Sequence, residues 1–195
     1  MKELLKQIDK LDRTELYNAI YSLYEISNNV MVYRCFQDYS GNYNELYNDY
    51  AQFNSKECEQ GLADYFLDNV LLENKKQVTH CYFIKYPVST YIKFEALKVL
   101  VQEELMQSCY VTELNLGEDF IIFDGAVVVF DVTKEGAITG GVISTSPADV
   151  EIAKTKFNSV LTKAKPFLKQ VPAESSMANS LKRKIKQLKT NLNIK

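Results

Sequence analysis

The sequence has no tryptophan and only one histidine, His80. Any serine or cysteine triad that depends on histidine would therefore have to use this residue. His80 lies in the apolar run Val78-Thr79-His80-Cys81-Tyr82-Phe83-Ile84, where a packed structural histidine is the expected reading. No C-x-x-C pair occurs among Cys35, Cys58, Cys81 and Cys109. Metal-finger spacing, a P-loop, G-x-G-x-x-G and H-E-x-x-H are also missing, so no cofactor or metal is expected. No apolar stretch approaches the ~20 residues that cross a bilayer. Charges at Lys2, Glu3 and Lys6 break the opening too early for a signal peptide. These absences point to a soluble cytoplasmic protein with reduced thiols.

Hydrophobic residues make up 46 % of the 195 positions and charged residues 25 %, a balance that supports a packed globular core. The net charge of −2 is unevenly spread. Residues 173–195 hold six basic side chains against Glu174, a local charge of +5, which leaves −7 on residues 1–172. A mildly acidic body is followed by a basic tail.

The fold class expected is α+β: a mixed or antiparallel sheet with a β-meander, flanked by helices, plus an N-terminal helical region and a basic C-terminal helix. The expected domains are 1–76, 77–168 and 169–195. Within 1–27, Leu4, Leu5, Ile8, Leu11, Leu16, Ile20 and Leu23 recur at helical spacing, with Asp12 capping a second piece. Residues 28–57 read as irregular with a short helix or strand, and 58–73 as helix. Strands are expected at 78–84, 109–114, 120–123, 126–132 and 137–145, with a helix from Ser89 to about Gln107. Asp124-Gly125 signals a two-residue hairpin of type I′. Gly140-Gly141 suggests a bulge or a close backbone approach. Ser146-Pro147-Ala148-Asp149 opens a helix whose buried stripe is Val150, Ala153, Phe157, Val160 and Ala164. After a linker, Met177, Leu181, Ile185, Leu188 and Leu192 define a short amphipathic helix.

Three passages resemble a known family. One is the strand Val78 to Ile84 with Pro87, Ser89 and Tyr91-Ile92-Lys93-Phe94-Glu95. The second is Phe120-Ile121-Ile122-Phe123-Asp124-Gly125 followed by Val127-Val128-Val129. The third is Pro147-Ala148-Asp149-Val150, Phe157 and Ala164-Lys165-Pro166-Phe167. They are similar to a bacterial domain family of unknown function, often encoded beside helix-turn-helix regulators. The resemblance covers about residues 33–168. It implies a phospholipase D-like half-domain fold without the catalytic motif. That motif needs a histidine nucleophile and a lysine two residues on; here Tyr82 follows His80 at that spacing.

The expected function is a non-enzymatic binding or regulatory accessory module acting on a protein partner or a second copy. The acidic pairs Glu103-Glu104 and Glu118-Asp119 read as solvated helix and turn residues, and Asp124 as a turn residue. The alternative is nucleic-acid or membrane-surface contact through the tail alone, with Lys182, Arg183, Lys184, Lys186 and Lys189 as the contact residues. An enzyme using His80, Cys81 and nearby tyrosines is the least favoured reading.

Overall fold

The computed structural model describes residues 1–6, 8–36, 77–84, 98–99, 101–103, 108–133, 138–167 and 176–191. The helix expected at 58–73, most of the helix from Ser89 onward, and Cys58 lie outside these residues. The chain divides into two compact units: one of residues 1–41, 75–85 and 108–166, the other of 42–74, 86–107 and 167–195.

The first unit contains a mixed eight-stranded sheet. In chain order its strands are β1 (Asp9–Asp12), β2 (Asn29–Phe36), β3 (Gln77–Ile84), β4 (Ser108–Thr112), β5 (Phe120–Ile122), β6 (Val127–Val132), β7 (Ile138–Ser144) and β8 (Lys165–Pro166). Their spatial order is β1-β7-β6-β5-β2-β3-β4-β8. The strands β2, β3 and β4 run parallel, and the other pairings are antiparallel. The expected meander is β5-β6-β7, and the α+β architecture is as the sequence suggests.

Burial follows the two-residue period of a strand. Tyr33 and Cys35 of β2, Cys81 and Phe83 of β3, Phe120 and Ile122 of β5, and Val127 and Val129 of β6 join one apolar cluster. Helix α2 (Pro147–Leu161) completes it with Val150, Ala153, Phe157 and Val160. The alternate residues Val32, His80, Tyr82, Ile121, Val128 and Phe130 are buried as well. Both faces of the sheet are thus dry, which explains the unbroken apolar runs in β5 and β6.

Two local expectations need correction. Residues 1–12 are not one helix but a 3-10 turn (Lys2–Leu4) and strand β1. In the described part of 28–57, the short helix or strand expected there is β2. The helical spacing of Leu4, Leu5 and Ile8 reflects instead a segment that buries Met1 and Leu5 in the sheet's core and leaves Leu4 and Ile8 exposed. Helix α1 (Arg13–Ile26) begins where Asp12 and Glu15 form a reciprocal capping box, each bond 2.9 Å. The Asp124-Gly125 hairpin closes through a Phe123 N–H to Ala126 carbonyl bond of 2.8 Å. Gly117 is the one described glycine in the left-handed region, so the turn is not type I′.

The Gly140-Gly141 expectation is met by close approach. A Cβ on Gly140 would lie 2.6 Å from the Leu11 carbonyl oxygen, and one on Gly141 would lie 2.5 Å from that of Val129 and 2.9 Å from Leu16. The register irregularity falls beside them: Asp131 pairs with Gly140 and Val132 with Ile138, leaving Thr139 as the extra residue.

Tyr33 ties the β4–β5 connection to the core. Its hydroxyl donates to the Leu114 carbonyl at 2.7 Å and accepts from the Leu116 N–H at 3.0 Å. Its ring stacks on Phe120 at 5.2 Å. Replacing Tyr33 with Phe would strip both backbone groups of their partner while keeping the ring. The expected cost is about 1–3 kcal/mol, read as a lowered denaturation midpoint with an unchanged slope.

Candidate functional site

The residues suggested by sequence do not converge on one place. His80 and Cys81 are neighbours in β3, and they face opposite sides of the sheet: Cys81 belongs to the α2-side cluster and His80 does not. His80 is 2 % exposed, and its Nδ1 lies 3.1 Å from the Tyr82 hydroxyl. Its Nε2 has no hydrogen-bond partner among the described residues. Burial, with the nearby Arg34 charge adding to it, lowers its pKa from 6.5 to about 3. The ring is therefore neutral at physiological pH and shielded from solvent.

The thiols are equally unsuited to attack. Cys35, Cys81 and Cys109 are buried and in no disulfide. Burial pushes Cys81 up to about 12 and Cys109 well above its ordinary range. Thiolate is the nucleophilic form, so neither is reactive near neutral pH. The described residues contain no group of three His, Cys, Asp or Glu side chains placed to hold a metal ion.

Asp119 corrects the view of Glu118-Asp119 as solvated. Asp119 is 3 % exposed and pairs with the Arg34 Nε at 3.0 Å. Its carboxylate also accepts from the Cys35 N–H, and its carbonyl accepts from the Phe130 N–H at 2.9 Å. The Arg34 guanidinium lies 5.1 Å from the centre of the Phe130 ring. Glu118 is partly buried, accepting from the Met1 amino group and the Lys2 N–H. The signal available in sequence was a lone arginine inside the apolar strand β2, since buried charge requires a partner.

Asp124 is a turn residue that also acts at a distance. Its carboxylate accepts from the Asn28 N–H at 2.7 Å, the Asn29 N–H at 3.3 Å and the Asn29 side-chain amide at 3.0 Å. Partial desolvation works against its charge, but these bonds and Lys154 outweigh it and hold its pKa below the usual value. The tip of the hairpin thereby anchors the start of β2.

In the second unit, helix α3 (Ser176–Asn191) contains all five sequence-selected cations. Ile185 is fully buried, whereas Arg183 and Lys186 are exposed. Lys182 is half-buried; the Lys184 side chain lies outside the described residues. Lys189 is committed within the protein: its Nζ donates to the Glu103 carbonyl at 3.0 Å and pairs with the Glu103 carboxylate at 3.4 Å. Glu103 is thus an ion-pair partner, while Glu104 lies outside the described residues. No helix among the described residues is long and apolar enough to cross a membrane.

An open cleft of about 530 Å³ is lined by Lys10, Leu11, Asp12, Asp131, Thr139 and Gly140. Asp12 caps α1 and Asp131 pairs with Lys2, so the cleft's two acids are already engaged.

Two stability tests follow from this arrangement. Asp119→Ala leaves Arg34 without its carboxylate and is expected to cost about 3–5 kcal/mol; Asp124→Ala, at an exposed turn, is expected to cost about 1 kcal/mol. Equal losses in chemical denaturation would contradict the assignment of Asp119 as the buried tie. For His80, the unfolded chain takes up the proton near pH 6.5 and the folded chain only near 3. Stability should therefore be full above about 6.5 and fall as the pH drops toward 3. His80→Gln should flatten that part of the stability–pH curve, as followed by thermal denaturation.

Comparison with known proteins gives likeness of fold. Phosphatidylserine synthase of Haemophilus influenzae matches with a TM-score of 0.52 and 10 % identity, over 96 % of this chain and 44 % of that one. Nuc of Salmonella typhimurium, a phospholipase D family member, matches with a TM-score of 0.48 and 9 % identity, over 87 % and 97 %. TrmBL2, an archaeal chromatin protein described as having a novel mode of DNA binding, gives 0.48 and 10 %, over 85 % and 56 %. The chain thus spans just over half the length of TrmBL2 and under half that of the synthase. No family model and no curated protein sequence matches. The fold is phospholipase D-like, in keeping with the sequence resemblance.

Proposed function

We propose that this chain is a non-catalytic binding and regulatory accessory module of a bacterial cytoplasm, acting through contact with a protein partner or a second copy of itself. The sequence resemblance to a domain family encoded beside helix-turn-helix regulators suggests a transcription regulator or mobile element as its setting. The observation that carries the non-catalytic part is the state of His80. Nucleophilic phosphoryl transfer needs an accessible imidazole with a phosphate-holding lysine two residues on. The chain's one histidine is 2 % exposed, has Tyr82 at that position, and shares its Nδ1 with the Tyr82 hydroxyl. The high pKa of Cys81 supports the same reading, because a thiol titrating near 12 supplies almost no thiolate at neutral pH.

The test is hydrolysis of bis-p-nitrophenyl phosphate, single-stranded DNA and a p-nitrophenyl ester panel by the full chain. Rates equal to buffer are expected for every substrate. Turnover that disappears in His80→Ala would overturn the proposal. Sedimentation equilibrium of the same sample tests the partner clause in its self-association form. A mass above 22.4 kDa at high concentration is expected if the partner is a second copy.

A further inference from the structure

We propose that the exposed face of α3 is a nucleic-acid contact of the phosphate-backbone type. As a sequence, α3 fits either of two surfaces. Its 16 residues include Lys182, Arg183, Lys184, Lys186 and Lys189 and no acid. A basic amphipathic helix of this kind can lie on an anionic bilayer, with its apolar stripe sunk among the acyl chains. It can equally rest against phosphates and use charge alone.

The structure separates the two by showing where the apolar stripe is used. Ile185 is 0 % exposed, and Lys189 binds both the carbonyl and the carboxylate of Glu103 within the same unit. Ile185, the described member of the apolar stripe, is thus used in packing within the unit and is not available to a bilayer. Among the described side chains of α3, the exposed ones are Asn179, Arg183, Lys186, Gln187 and Thr190. At 3.6 residues per turn these share one side of the helix. Arg183 donates through Nε to the Asn179 carbonyl at 3.4 Å, which lays its guanidinium along that side. Lys186 sits three residues on, so the two cations are neighbours on the surface. Among these residues are two full positive charges and two side-chain amides, and no carboxylate. That set complements a polyanion and has no apolar anchor to offer.

The acidic body limits the contact. Residues 1–172 carry a net charge of −7, which on balance disfavours a polyanion away from the basic tail. Arg183 and Lys186 therefore neutralise about two phosphates. Affinity for a single strand should scale with salt to a power of about −1.4. The assignment does not depend on whether the chain is catalytic.

The experiment is fluorescence anisotropy of the full chain with a labelled 20-nucleotide DNA strand at 50 and 200 mM NaCl. Expected is binding that weakens roughly sevenfold over that interval. Arg183→Glu with Lys186→Glu should reduce affinity at least tenfold at 50 mM while leaving the melting temperature unchanged. Lys189→Ala should lower the melting temperature and leave the affinity close to that of the parent chain. Absence of salt-sensitive binding, or a double variant that binds like the parent chain, overturns the proposal. It is also overturned if Lys189→Ala loses as much affinity as the double variant, or if poly-glutamate of equal charge binds as tightly. Sedimentation with vesicles of phosphatidylserine and phosphatidylcholine provides the membrane arm. Binding to vesicles that survives 200 mM NaCl would require an exposed apolar face and would also overturn it.

Discussion

The Arg34–Asp119 pair is the constraint around which the sheet is arranged. Asp119 stands just before β5, a strand of three residues. Such a short strand offers few ladder bonds of its own. Asp119 adds to them with its carboxylate on the Cys35 N–H of β2 and its carbonyl on the Phe130 N–H of β6. Arg34 supplies the counter-ion to that carboxylate and rests its own guanidinium near the Phe130 ring. Three neighbouring strands are thus joined at one buried charge. Because an unpaired ion is so costly in a dry interior, the pair also fixes register: a slip of β2 by one residue would turn Arg34 to the other face.

The same dryness decides the chemistry of the sheet. Burial shifts four of its titratable side chains toward their neutral forms. His80 is lowered, Cys81 and Cys109 are raised, and Tyr33 is raised by burial despite its bond from Leu116. The exposed Asp124 is shifted toward its charged form, because backbone and side-chain donors surround it in reach of water. Polar groups in this fold therefore serve as ties between strands and loops. That division is why the proposed partner contact is placed on the periphery.

Helix α3 shows how one residue type takes two roles on one element. Lys189 completes an internal ion pair with Glu103, whereas Arg183 and Lys186 face solvent. Their charges are equal, and all three lie within about one helical turn of Ile185. Only the angular position around the helix, relative to the buried side, distinguishes them.

By itself the sequence determined the meander, the capping of α1 at Asp12, the start of α2 at Pro147, the close approach at Gly140-Gly141 and the lack of a phosphoryl-transfer motif. These depend on short-range periodicity, on turn chemistry, or on which residue types are present at all. Only the tertiary structure decided that β1 and β2 belong to the sheet, that Asp119 is buried against Arg34, that Asp124 reaches back to Asn28 and Asn29, and which cations of α3 face solvent. Each of these depends on a partner far away in the chain. Asp119 and Asp124 lie 85 and 95 residues from Arg34 and Asn29, and local pattern does not specify such pairings. The helical spacing in residues 1–12 was misleading for the same reason. An edge strand against β7 and the burial of Met1 and Leu5 supplied more than a short isolated helix could.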